Sequence, residues 1–274
     1  MTPMSTLDRE ASPGSRRIVR ALRAIRVGLC FVYFGAGVWL GGRVAIPLLR
    51  RTHWRGLSPE EVTLASQRVV HVFCRSFIAC ICDVMRLGRV QWIGAEALQR
   101  GPVLVVANHP SLIDTPLLLT RLAQADFIVS PDWLRFGLLR PIIEAAGYLH
   151  AEAGAAVVRQ AVERLRAGHT VVVYPEGSRT PPEGLRRFHR GAAHIALRAG
   201  CDIVPVHITV TPRALMQGQG WTDYPDADPV YRIEVGEPIR ALLAAGTEGR
   251  ALAARRLTGV LEEHFEKRWK RGGS

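Results

Sequence analysis

GPVLVVANHPSLIDTPLLLTRLAQA, residues 101 to 125, passes from a β-branched apolar run to a short polar turn and then to a second apolar run that starts at Asp114. Val103–Ala107 reads as a buried strand and the stretch from Asp114 as a helix, so this stretch has the form of a strand–turn–helix unit. The turn holds Asn108 and His109, with Asp114 five residues beyond the histidine. Locally two readings are open. His109 and Asp114 can be a turn histidine and a helix-capping aspartate, or a histidine base held by an acidic partner, in which the carboxylate sets the tautomer and stabilises the imidazolium.

Outward from this unit the same alternation continues. "GRVQWIG" (88–94), "DFIVS" (126–130), "HTVVVYPEG" (169–177), "CDIVPVHITV" (201–210) and "VYRIEVGEPI" (230–239) have strand texture. "WLRFGLLRPIIEAAG" (133–147), "GAAVVRQAVERLRAG" (154–168), "GAAHIALRAG" (191–200) and a C-terminal segment from about 245 to 270 read as helices, two of them closed by Gly168 and Gly200. The pattern predicts an α/β fold, a central mostly parallel sheet flanked by helices, with no internal repeat. In such sheets ligands gather at the carboxyl ends of strands, which is where Asn108 and His109 lie. The turn "YPEGSR" (174–179) follows another very apolar strand in the same way and supplies Glu176, the flexible Gly177 and Arg179, whose planar fork suits phosphate.

The N-terminal third has a different texture. Residues 1–15, rich in Ser, Pro and Gly, read as a disordered tail, residues 16–86 as a membrane-associated helical region, and residues 87–274 as the catalytic α/β domain. "RRIVRALRAIR" sets Ile18, Leu22 and Ile25 against arginines at helical spacing. The uncharged stretch 27–42 would measure about 24 Å as a helix, short of the roughly 30 Å hydrocarbon core. A secretory signal, a buried core helix and a membrane-embedded helix, re-entrant or interfacial, all fit that length. The absence of a cleavage site before Arg43 and the arginines on both flanks favour the last, with Arg26 and Arg43 snorkelling. "SPEEV" opens the next helix, Ser58 capping, Pro59 in the first turn and Glu61 at the capping-box position. That helix is expected to pack on the first or on the catalytic domain.

The formal net charge of +12 is carried mostly by arginine, Lys267 and Lys270 being the only lysines. Arginines crowded around an apolar stretch point to lipid head groups and away from a nucleic-acid groove. Five cysteines without metal-ligand spacing indicate reduced structural thiols. His71, His150, His169, His189, His194 and His207 read as structural or surface residues, and the acidic "DYPDAD" (223–228) as a solvated loop.

The set "NHPSLID" (108–114), "YPEGSRT" (174–180) and "IVPVHI" (203–208) resembles the glycerolipid acyltransferase family that includes the 1-acylglycerol-3-phosphate acyltransferases, over roughly residues 85 to 240. The resemblance implies His109 as catalytic base with Asp114 as its partner. It implies Glu176, Gly177, Arg179 and Arg187 as acceptor-binding residues, and Asn108, Pro175 and Pro205 as residues that shape the site. "RRFHRGAAHIA" resembles the basic patch and glycine that follow the third block, here Arg187, Arg190 and Gly191. No metal and no bound cofactor are expected; the co-substrate is an acyl thioester of coenzyme A or of acyl carrier protein, the acceptor a lyso-lipid, and the setting the cytoplasmic face of an inner membrane, with no nucleic acid partner. One block departs from the pattern. Where the family has an arginine for the acceptor phosphate, "AGYLHAEAG" offers Gly147, His150 and Glu152. Either Arg159, Arg186 or Arg187 takes its place, or the acceptor is not lysophosphatidic acid. A lipid hydrolase lacks a nucleophile or metal set here, and a non-catalytic lipid-surface protein would not need both polar turns intact.

Overall fold

The computed structural model describes residues 13–99, 101–135, 137–151, 154–241 and 249–272. Seven strands form one sheet in the order β1-β7-β6-β2-β5-β3-β4: β1 Arg89–Ile93, β2 Leu104–Ala107, β3 Asp126–Val129, β4 Leu149–His150, β5 Val171–Val173, β6 Ile203–Thr211 and β7 Val230–Val235. All neighbouring pairs are parallel except β6 and β7, which run antiparallel. The expected mostly parallel sheet is therefore present, and it gains an oppositely running edge, β7 with β1.

Period-two alternation along the central strands divides the interior into two cores. Leu104 and Val106 of β2 face one cluster with Val171, Val173 and Ile203, covered by helices α7 (Ala155–Arg166), α8 (Gly191–Ala199) and α9 (Arg250–Gly272). Val105 and Ala107 face the other, which includes Phe127, Val172, Val206 and Ile233. That second face is covered by α4 (Asp114–Leu119), by α6 (Arg140–Ala145) and by the N-terminal helices. α4 is shorter than its apolar run predicts. The Thr120 hydroxyl donates to the Leu117 carbonyl at 2.7 Å, and the Thr120 amide bonds back to Pro116 and Leu117, which closes the helix in a turn. The expected helix over 133–147 is two short ones, α5 (Pro131–Arg135) and α6. The expected start of the last helix near residue 245 lies outside the described residues.

The N-terminal region differs most from expectation. α1 (Pro13–Leu40) takes in residues 13–15 of the expected tail, and a π-helical turn, Gly41–Ala45, carries the chain without a break into α2 (Ile46–Thr52). The apolar stretch 27–42 is thus the middle of a continuous helix. The helix has 36 residues from Arg17 to Thr52 and measures about 54 Å, while its uncharged run between Arg26 and Arg43 keeps the length of about 24 Å. α3 (Pro59–Ala79) carries the expected capping box, with the Glu61 amide on the Ser58 hydroxyl and the Ser58 amide on the Glu61 carboxylate. α3 lies antiparallel to α1. Tyr33 and Phe34 meet Phe73 and Phe77 at centroid distances of 4.9 to 6.2 Å, and at Gly37 an added Cβ would fall 2.0 Å from the Phe73 ring. Glycine here leaves room for the Phe73 ring against the α1 backbone. Both helices are long and apolar enough to cross a membrane.

The arginines around α1 turn toward protein. Arg20 pairs with Asp226 at 2.7 Å, and Arg23 reaches Asp228 at 2.8 Å and the Pro225 carbonyl at 2.7 Å. Arg26 donates to the Met85 carbonyl and Arg43 to that of Gly137. The acidic 223–228 segment is thus a dock for α1, and Arg26 and Arg43, the residues expected to snorkel, each bond one carbonyl of the chain. Opposite the packed face, Ile18, Leu22, Ile25, Leu29 and Val32 form an exposed apolar stripe.

Candidate active site

β2 and β5 are neighbours in register, Val106 opposite Val173, so the two polar turns that follow them leave the sheet side by side. Asn108 closes one end of the site by bonding both backbone groups of Ile208 on β6, its amide donating at 2.8 Å and its carbonyl accepting at 2.7 Å. The next residue, His109, projects from this fixed point.

The imidazole Nδ1 of His109 lies 2.9 Å from Oδ2 of Asp114, the first residue of α4. The same oxygen accepts from the Ser111 amide at 2.7 Å. Burial pushes the Asp114 carboxyl up from its ordinary value, while the bond and charge of His109, the Ser111 amide and the charge of Arg179 pull it down. The carboxylate selects the tautomer with the proton on Nδ1, which leaves Nε2 with a free lone pair. The ring lies flat on Tyr174, centroids 4.3 Å apart at 18°. An imidazole so held can accept a proton without reorienting.

His109 opens on a cavity of about 990 Å³. Its inner wall is apolar, built by Phe34 of α1, Phe73 and Phe77 of α3, Leu119, Ile142 and Tyr148. Around His109 its lining turns polar, with Thr115, Ser178, Arg179, His189 and Gln217. The N-terminal helices are therefore part of the site, which the sequence reading assigned to the catalytic domain alone. His189, read as structural, lines it too. No signal short of the fold reveals that α1 and α3 wall the cavity, because their apolar faces read equally well as membrane or core.

The other expected residues divide. Gly177, Arg179 and Pro175 line the cavity. Gly177 adopts φ +69°, a region favouring glycine, and a Cβ there would come within 3.0 Å of the His189 ring. Arg179 donates to the carbonyls of Leu215 and Met216, both at 3.3 Å. Glu176, expected among the acceptor-binding residues, is buried between the two turns. One of its oxygens accepts from the Thr180 hydroxyl and the His109 amide, the other from the Arg186 amide at 3.1 Å. Its carboxylate is a clasp between the two turns, taking up amides that would otherwise be buried without an acceptor. Pro205 lies within the sheet opposite Val106, with its ring against Gly236, away from the cavity. Arg187 is exposed and outside the cavity lining, as are Arg159 and Arg186. Among the described residues, Arg179 is the one arginine on the cavity wall; Glu152 lies outside the described residues. Among the described residues no three His, Cys, Asp or Glu side chains cluster as a metal site.

Comparison with known proteins places this geometry. The profile of the family described as Acyltransferase matches residues 89–209. The lyso-ornithine lipid O-acyltransferase of Pseudomonas aeruginosa is 30% identical over 198 residues, 71% of this chain and 69% of that protein. The 1-acyl-sn-glycerol-3-phosphate acyltransferase of the same organism is 26% identical over 196 residues, 68% of this chain and 71% of that protein. A crystal structure of the 1-acyl-sn-glycerophosphate acyltransferase from Thermotoga maritima shares the fold, with a TM-score of 0.62 at 21% identity over 92% of this chain and 98% of that one.

Proposed function

The chain belongs to the acyltransferase family and is an O-acyltransferase, and from that premise we propose that it moves a fatty acyl group from a thioester of coenzyme A or acyl carrier protein to the hydroxyl of a lyso-lipid at a membrane surface. His109 is the general base. The observation that carries this reading is the 2.9 Å bond from His109 Nδ1 to Asp114 beside a large apolar cavity that can take an acyl chain.

The acceptor hydroxyl gives its proton to Nε2 as its oxygen bonds to the thioester carbon, and the π pair of the carbonyl moves onto oxygen. When that pair returns, the C–S bond breaks, and the thiolate leaves with the bonding pair and takes the proton from the imidazolium. The reaction so written uses no metal and no resident cofactor. General-base assistance of this kind supplies about 10² to 10⁴ in rate.

Membrane attachment is supported by the exposed stripe on α1 and the length of the helical pair. Because α3 returns antiparallel to α1, the pair can enter and leave by one face. The catalytic domain then stays on the cytoplasmic side, where acyl thioesters are made.

Two acceptors fit. A 1-acylglycerol-3-phosphate is supported by Arg179 on the wall and by the second relative. A lyso-lipid without a phosphomonoester, such as the acceptor in the name of the first relative, is favoured by a specific observation: Arg179 is already shared with two carbonyls, and none of Arg159, Arg186 and Arg187 reaches the cavity wall. The full-length protein in liposomes, given lysophosphatidic acid, a lyso-ornithine lipid and a phosphate-free lysoglycerolipid with both thioester types, decides by product mass. Acylation of none of them sinks the function, and a clear preference selects the acceptor.

A further inference from the structure

Acyl transfer puts negative charge on the thioester oxygen, and in a cavity with apolar walls that charge needs a fixed donor. Two hydroxyls beside His109 meet the requirement. Thr115 follows Asp114 at the start of α4, Tyr174 follows the end of β5, and both line the cavity. Their oxygens are 3.1 Å apart. Each hydroxyl carries one proton; their mutual bond uses one of the two, and among the described residues no other protein group takes the second. The Tyr174 ring is held against the imidazole by its near-parallel stack, so the hydroxyl pair and the base face the same volume. Burial, with the charge of Asp114 adding to it, raises the Tyr174 phenol well above its ordinary value, so the proton stays in place across the working pH range.

We propose that the Thr115–Tyr174 hydroxyl pair is the oxyanion donor of the site, its unspent proton hydrogen-bonding the thioester carbonyl oxygen as the π pair moves onto it. The inference rests on the acyl-transfer reading above. The two hydroxyls act as a unit: removing one leaves the other its proton but takes away the partner that aims it.

The test uses the full-length protein in liposomes with whichever of lysophosphatidic acid, the lyso-ornithine lipid and the phosphate-free lysoglycerolipid it acylates fastest, reading kcat, the acceptor KM and the melting temperature. Tyr174→Phe deletes one oxygen and keeps the stack, Thr115→Val is isosteric, and Thr115→Ser restores the hydroxyl. Each single deletion is expected to lower kcat about tenfold and the double variant about 10²- to 10³-fold, the range for loss of an oxyanion donor. The acceptor KM stays within twofold, and Thr115→Ser keeps wild-type kcat. A folded double variant with kcat within twofold of wild type overturns the proposal. Should the double variant not fold, wild-type kcat in both single variants overturns it equally. His109→Ala in the same assay separates the two levels: if it is inactive while the double variant is fully active, only the oxyanion assignment fails, whereas wild-type turnover in His109→Ala removes His109 as the base and, with it, the site in which this inference is placed.

Discussion

Among the described residues, two histidine–aspartate pairs of equal length stand at opposite ends of the sheet. At the carboxyl ends, His109 Nδ1 meets Asp114 at 2.9 Å, and its other nitrogen is not taken by a carboxylate. At the amino ends, His169 Nδ1 meets Asp126 at 2.9 Å, and its Nε2 meets Glu60 of α3 at 3.2 Å. Asp126 also accepts from the side-chain amide of Gln67 at 2.9 Å. The second pair joins α3 to the domain with every imidazole nitrogen occupied, so it is a rivet. The first leaves one nitrogen free beside a cavity, so it can work as a base. The carboxylate is common to both, and the fate of Nε2 separates them.

His109→Ala breaks the first pair and is expected to lower kcat by about 10³ to 10⁴ while the melting temperature barely moves; most of the activity surviving would erase the distinction. His169→Ala should do the reverse. It leaves Asp126 buried with Gln67 and, at 3.9 Å, Arg164, costing about 3 kcal/mol in chemical denaturation with turnover per folded molecule unchanged. Asp114→Asn retains the imidazole and is expected to cost about 10²-fold in kcat, less than loss of the base.

A third histidine, buried where the first two are partly exposed, sharpens the contrast, since among the described residues no carboxylate bonds to it. His207 packs against His264 and Phe265, and burial, with the charges of His264 and Arg268 adding to it, lowers it from 6.5 to about 3. A depressed folded value means that the unfolded chain takes up the proton first. Stability from this residue is therefore complete above about 6.5 and is lost as pH falls toward 3. Replacing His207 with leucine should make the acid fall of the melting temperature shallower over that window, and an unaltered slope would refute it. The smallest effect is expected from Glu60→Gln. Glu60 is largely exposed, so its loss should cost under about 1 kcal/mol and should confer no activity on His169, which has no cavity to serve; a thermal melt and a turnover assay on the same sample check both.

Much of this was legible locally. Apolar β-branched runs marked β2 and β5, glycines closed α7 and α8, and Ser58 with Glu61 marked the start of α3, because propensity, periodicity and capping act within a few residues. The pairing of His109 with Asp114 was equally readable, since five residues of turn and one helix start hold both. What Glu176 bonds to was not legible, for the opposite reason. Its motif names it beside Arg179, yet its carboxylate serves amides of the chain near residues 109 and 186, partners that no local spacing reveals.

The sequence by itself determined the element types, the order of the polar turns and the His109–Asp114 pair, all products of short-range sterics and hydrogen bonding. Tertiary structure alone decided which turns meet, through the register of β2 with β5, and that β7 turns antiparallel at the edge. It also decided that α1 and α3 wall the cavity, and that His109 rather than His169 keeps a free nitrogen. These outcomes depend on contacts between residues tens to hundreds of positions apart, whose formation is set by how the whole chain closes on its two cores.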